Sequence, residues 1–222
     1  MRALIVAAAP TAGSAELVTK LAADHDLVIA VDGGGAVCIE AGITPDIVLG
    51  DFDSLDPAAL DWLRRGGATV KSYPADKDQT DLELALAAAR SKGADHVTVT
   101  AVSSHRLDHT LSAMGAIGAA ADLRPQIVEP DVRVWVLGEG GEVELRVTGL
   151  GATLSLVACG EAAVVSITGV RWPLAERSLT HGSGLGVSNI VTDEAGAHIV
   201  VQSGTLLVIA PEMRDAVRAV AD

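Results

Sequence analysis

Four short polar segments of this 222-residue chain carry side chains capable of chemistry. In Gly50-Asp51-Phe52-Asp53-Ser54 two carboxylates stand two residues apart. On an extended chain they share one face, about 6 to 7 Å apart from the rise of a strand. At that separation they repel by about 2 to 3 kcal/mol at an effective dielectric of about 20, and a divalent cation reverses the sign. Asp51 and Asp53 therefore read as a magnesium site, with a turn capped through Ser54 as the structural alternative. Asp76-Lys77-Asp78-Gln79-Thr80-Asp81 precedes a well-marked helix. Thr80 as its cap and Asp81 against its dipole need no ligand, but Lys77 and Asp78 are surplus to that task. A lysine beside metal-binding carboxylates suits a polyphosphate, which offers charge to both.

The other two segments suit anions. Asp32-Gly33-Gly34-Gly35 opens a helix, where glycines let backbone N–H groups approach a phosphate. It is neither a dinucleotide fingerprint nor a Walker loop, since no Gly-Lys-Ser/Thr occurs in the chain. In Ser103-Ser104-His105-Arg106-Leu107-Asp108-His109, Arg106 suits phosphate, Asp108 suits a helix cap, and His109 suits a hydrogen bond in the first turn. No G-x-S-x-G elbow accompanies Ser103 or Ser104, which argues against a nucleophilic triad.

These segments need strands that end together. Apolar runs at 3–8, 27–31, 47–49, 69–73, 96–102, 127–128 and 132–137 alternate with helical stretches at 15–23, 35–41, 57–64, 81–91 and 108–121. That alternation predicts a parallel, Rossmann-like α/β sheet, whose ligands collect beyond the carboxyl ends of its strands. Each polar segment lies just beyond the end of one of those strands. The helix at 81–91 has the clearest limits: a capping box from Thr80 to Glu83, an apolar face of Leu82, Ala85, Leu86 and Ala89, and a stop at Gly93. After Gly138 the pattern becomes short alternating segments at 142–147, 153–157, 164–168, 198–202 and 206–209, with no helix before Met213. The expected architecture is an α/β domain over residues 1–138 followed by a separate, smaller all-β domain over residues 139–222.

Composition narrows the partners. The chain is 49% hydrophobic with a net charge of −13, its 16 basic residues scattered among 29 acidic ones. A polyanion site needs clustered Lys and Arg, so nucleic acid and anionic membrane surfaces are disfavoured. Eight of the 18 Asp fall between Asp46 and Asp81, a crowding of short carboxylates that suits a hard cation. No run of about 18 apolar residues indicates a membrane helix. The apolar opening stops at Pro10 and reads as a first buried strand rather than a leader. Cys38 and Cys159 are far apart with no CxxC, which points to a reducing, cytoplasmic setting without disulfide or zinc.

Taken together and in order, Val31-Asp32-Gly33-Gly34, the stretch from Gly42 to Ser54, the stretch from Asp76 to Glu83, and Arg106-Leu107-Asp108-His109 resemble the thiamin pyrophosphokinase family. In the second half, Gly169-Val170-Arg171-Trp172-Pro173-Leu174, the stretch from Gly182 to Asn189, and residues 203–209 resemble its thiamin-binding domain. The resemblance implies that the α/β domain binds nucleotide and magnesium and that the all-β domain is a β-sandwich. It also implies magnesium-dependent transfer of pyrophosphate from ATP to the hydroxyethyl oxygen of thiamin, leaving AMP, by a homodimer with thiamin near the subunit interface. It implies that Asp51, Asp53 and Asp81 handle magnesium and, with Lys77, the reacting phosphates. By the same resemblance Asp32, Gly33, Gly34, Asp78, Thr80, Arg106, Asp108 and His109 line the nucleotide side, and Trp172, Ser188 and Asn189 hold thiamin. Ser103-Ser104-His105 departs from the family pattern, which carries smaller residues there. Two other readings share these motifs: a pyrophosphokinase for another alcohol, such as a hydroxymethyl pterin, and a non-catalytic nucleotide- or thiamin-binding protein.

Overall fold

A computed structural model describes residues 1–53, 55–145, 150–211 and 219–220. The chain divides into two compact units, Met1–Pro130 and Asp131–Asp222.

The first unit runs β1 (Arg2–Val6), α1 (Ser14–Ala22), β2 (Leu27–Val31), α2 (Gly34–Glu40), β3 (Ile47–Gly50), α3 (Pro57–Arg65), β4 (Thr69–Ser72), α4 (Asp81–Ser91), β5 (His96–Thr100), α5 (Leu107–Ala119) and β6 (Gln126–Val128). Its strands are parallel and ordered β6-β5-β1-β2-β3-β4. Strands β1 to β4 step one way across the sheet, and the chain then returns to add β5 on the far side of β1. The order therefore reverses between β1 and β5, a switch point of the kind where such sheets open a crevice. Helices cover the sheet, so Leu4, Ile5, Ile29 and Leu49 are fully buried, each burial contributing about 2 kcal/mol.

Local sequence explains the helix limits. Asp56 caps α3 by accepting from Ala58 N at 2.8 Å, with Pro57 next in the chain. For α4 the capping box is complete: Thr80 Oγ1 accepts from Glu83 N at 3.3 Å, and Thr80 N donates to Glu83 Oε2 at 2.7 Å. Its buried face includes the expected Leu82, Ala85, Leu86 and Ala89. Gly93, at φ 85°, follows its end. The start of α2 lies so close to β1 that a Cβ on Gly34 would meet Val6 O at 2.1 Å. This glycine is demanded by packing, whatever else it serves.

The second unit contains β7 (Val132–Leu137), β8 (Glu142–Leu145), β9 (Thr153–Ala158), β10 (Ala162–Thr168), β11 (Leu174–Thr180), β12 (Asn189–Ile190), β13 (Ala197–Ser203), β14 (Leu206–Pro211) and β15 (Ala219–Val220). One antiparallel layer is ordered β12-β9-β14-β7 and the other β11-β10-β13-β8-β15. Alternate residues of β9, β10 and β13 point inward, and Leu156, Val165, Ile167, Ile199, Val201 and Val208 form one apolar core.

The sheet-plus-sandwich architecture is the one expected, but the units part at 130/131 rather than 138/139. The cause is β7, whose Val132 to Leu137 pair antiparallel with Pro211 to Leu206 of β14. An apolar run does not declare its partner's direction, so it read as a last strand of the parallel sheet. Strand β11 escaped sequence reading because Ala175-Glu176-Arg177-Ser178 is exposed and shows no alternation. The expected helix from Met213 and the end of the segment at 142–147 lie outside the described residues.

Candidate active site

Parallel strands bring the acidic segments to one edge of the first unit. Asp32 leaves β2 in the left-handed region at φ 45°, with its N–H donating to Leu49 O of β3 at 2.9 Å. Its Oδ1 accepts from Phe52 N at 3.2 Å. Gly50 makes this crossing possible: at φ 148°, its missing Cβ would lie 1.8 Å from Asp32 Oδ1. The chain then turns through Phe52 at φ 62°, and Asp51 Oδ1 accepts from Asp53 N at 3.1 Å.

Asp81, the first residue of α4, completes the cluster. Burial, opposed by the Phe52 N–H, and then the charges of Asp81 and Asp51 push the Asp32 carboxyl up to about 6. Lys77 Nζ stands 3.2 Å from Asp81 Oδ1 and donates to Pro74 O at 2.9 Å. The contact to Asp81 is an ion pair without hydrogen-bond geometry, and Asp81 Oδ1 is buried with no hydrogen-bond partner among the described residues. Three carboxylates thus crowd one place with one lysine beside them.

Among the described residues, no three His, Cys, Asp or Glu side chains are placed to hold a metal ion together. Asp51, Asp53 and Asp81 are not assembled into a three-ligand cage, and Asp53 is exposed. The residues still fit magnesium. That ion takes one or two carboxylates and completes its shell with water and phosphate oxygens, and the cluster offers Asp81 Oδ1, a buried carboxylate oxygen held by the Lys77 ion pair and by no hydrogen bond among the described residues.

The remaining residues assigned to the nucleotide side divide. Gly33 and Gly34 stand at the carboxyl end of β2, and Asp78 is exposed beside Lys77. Thr80 Oγ1 is engaged in the α4 cap, donating to Glu83 Oε2 at 2.8 Å as it accepts from Glu83 N. At the start of α5, Arg106 Nη2 donates to Asp108 Oδ2 at 2.7 Å and its Nε to Asp108 Oδ1 at 3.3 Å, with both side chains more than half exposed. The guanidinium holds the Asp108 carboxyl below its ordinary value. His109 is exposed on the same turn.

In the second unit, Trp172 is 51% exposed, with the Arg171 guanidinium 5.0 Å from its ring centroid. Asn189 is 4% exposed. Its Nδ2 donates to Trp172 O at 2.8 Å, while its Oδ1 accepts from Trp172 N at 3.2 Å and Ile190 N at 2.9 Å. This amide acts on the Trp172 backbone as a neighbouring strand would. Ser188, at φ 60°, is exposed and donates its N–H to Ser155 Oγ at 3.0 Å. Sequence reading placed no weight on Gly50 or on the Asn189–Trp172 pair. The first left a signal, a glycine immediately ahead of the paired carboxylates.

Comparison with known proteins bears on both units. The family described as Thiamin pyrophosphokinase, catalytic domain matches residues 18–128, and Thiamin pyrophosphokinase, vitamin B1 binding domain matches residues 142–206. The chain belongs to the thiamin pyrophosphokinase family. The thiamine pyrophosphokinase of Bacillus subtilis (strain 168) is 28% identical over 176 residues, covering 78% of this chain and 82% of that one. Thiamine pyrophosphokinase 1 of Oryza sativa subsp. japonica is 24% identical over 159 residues, 68% of this chain and 60% of that one, so the chain spans about three fifths of this longer relative. The crystal structure of the Bacillus subtilis thiamine pyrophosphokinase superposes with a TM-score of 0.79 at 25% identity, covering 96% of this chain and all of that one. The Candida albicans thiamin pyrophosphokinase gives 0.78 at 12% identity, covering 95% and 90%, a likeness of fold alone. Among the described residues, no helix is long and apolar enough to cross a membrane.

Proposed function

We propose that the chain transfers pyrophosphate from ATP to the hydroxyethyl oxygen of thiamin, giving thiamin diphosphate and AMP. The observation that carries this reading is the crowding of Asp32, Asp51 and Asp81 with Lys77, in a chain whose two halves match the catalytic and vitamin B1 binding domains. Asp51, Asp53 and Asp81 would hold magnesium, which when bound neutralises charge on the phosphate oxygens. Lys77 adds a positive charge for the transferred group, and Arg106 a second. Asp32, Gly33, Gly34, Asp78, Thr80, Asp108 and His109 border the nucleotide.

Attack at the β-phosphorus needs charge neutralised and the alcohol aligned, with little covalent help from protein. Trp172 offers an exposed aromatic face to the flat, cationic thiamin, and Ser188 borders it. Asn189 serves by holding the backbone of Trp172. Cytoplasmic action as a homodimer, with thiamin near the subunit interface, belongs to the same proposal.

The test is product analysis. Purified protein given ATP, magnesium and thiamin yields AMP and thiamin diphosphate in equal amounts, and gives no diphosphate ester when a hydroxymethyl pterin replaces thiamin. Turnover of the pterin in preference to thiamin contradicts the assignment.

A further inference from the structure

One buried acid has no part in the chemistry above. Glu129 directly follows β6 and is 2% exposed. Its Oε1 accepts from Val102 N at 2.8 Å and Ser103 N at 3.0 Å, and its Oε2 from Ala101 N at 3.2 Å. Three successive N–H groups at the end of β5 therefore converge on one carboxylate, the arrangement by which backbone cradles an anion.

The loop it holds runs from β5 to α5 and carries Arg106, with Asp108 and His109 on the helical turn that follows. Ala101 is left-handed at φ 54°, and its carbonyl accepts from Ala9 N at 2.8 Å, while Thr100 O accepts from Ala7 N at 2.9 Å. The loops after β1 and β5, the two strands flanking the switch point, are thus tied together. Further along, Thr110 Oγ1 accepts from Ser104 N at 3.1 Å and donates to Ser104 O at 3.0 Å, and Ser104 Oγ accepts from Arg106 N at 3.1 Å. Four consecutive amides, from Ala101 to Ser104, end on the side chains of Glu129 and Thr110.

An ionised carboxylate accepts all three bonds from residues 101–103, whereas an amide in its place turns an NH2 toward N–H donors. Burying a charge is costly, and these donors offset the cost only while the loop keeps this shape. We propose that Glu129 is a positioning residue for nucleotide binding: its carboxylate fixes the loop from β5 to α5 and so the placement of Arg106, Asp108 and His109. This rests on the nucleotide role given to that loop above.

Two variants test it by equilibrium binding of ATP, binding of thiamin, and amide exchange. Glu129→Gln weakens ATP binding about tenfold, leaves thiamin binding unchanged, and speeds exchange at residues 101–104 while β1 to β3 stay protected. Thr110→Val releases the same loop from its other end and shifts ATP binding in the same direction. It carries the test alone if Glu129→Gln does not fold. Faster exchange at 101–104 with ATP affinity within twofold of wild type overturns the proposal. So does faster exchange throughout the unit with ATP and thiamin weakened alike, the mark of a purely structural role. Wild-type protein that binds ATP but forms no thiamin diphosphate contradicts the proposed reaction instead, and the ratio of ATP affinities still decides the role of Glu129.

Discussion

Gly50 and Asp32 are fitted to one another: a Cβ on Gly50 would lie 1.8 Å from Asp32 Oδ1, closer than any non-bonded contact allows. The backbone at Gly50, φ 148°, is also one that side chains rarely adopt. Gly50→Ala must therefore push the Asp32 carboxylate away from Phe52 N and Asp81. We expect a fall in kcat of about 10²-fold, the scale of a misplaced active-site group, with circular dichroism unchanged. Near-normal kcat would show that the placement of Asp32 is unimportant.

Asp32 also makes stability depend on pH. Its carboxyl is raised from 3.8 to about 6 in the folded chain, first by burial and then by the Asp81 and Asp51 charges. The folded state thus binds more protons than the unfolded state between those values, and stability falls as pH rises through them. The span corresponds to at most about 3 kcal/mol. Urea denaturation without divalent cation, from pH 4 to 7, should show this fall. Asp32→Asn should flatten it, and a slope equal to that of wild type would contradict the assignment to Asp32.

Asp53 separates chemistry from folding. It is exposed, and among the described residues its backbone N–H donates to Asp51 Oδ1. Asp53→Asn should leave stability within about 0.5 kcal/mol of wild type and lower turnover at least about 10²-fold, as loss of a charge at the reacting phosphates requires. Steady-state rates beside melting curves check both halves, and retained turnover would remove Asp53 from the site.

Trp172 and Asn189 should act as a unit on thiamin but differ in stability. Trp172→Ala removes a half-exposed ring and raises the KM for thiamin about tenfold with little change in melting temperature. Asn189→Asp loses the donor to Trp172 O, raising the same KM and costing about 1 to 3 kcal/mol of stability. The double variant should be no worse in KM than Trp172→Ala. Additive effects would mean that Asn189 touches thiamin independently.

How far the sequence speaks depends on whether the deciding physics is local. The α4 cap was legible because Thr80 and Glu83 sit within one turn, and its buried face because helical period marks Leu82, Ala85, Leu86 and Ala89. The gathering of acids at one edge followed from their place after parallel strands. Partners far apart in sequence were not legible. The pairing of β7 with β14 moved the unit boundary, and polar β11 was invisible to hydrophobic patterning. The bonds from Asn189 to Trp172 were hidden too, because a sequence does not show whether an amide faces the backbone of a residue 17 positions away. Glu129, a lone acid between Val128 and Pro130, gave no hint of the three amides it receives.

The central claim is that a pyrophosphoryl group passes intact from ATP to thiamin. The most direct measurement uses ATP labelled separately at its α-, β- and γ-phosphorus, with thiamin and magnesium. The account predicts β and γ label together in thiamin diphosphate and α label only in AMP. Label from the γ position alone in the thiamin product, with ADP left behind, or no label in it at all, would contradict the account.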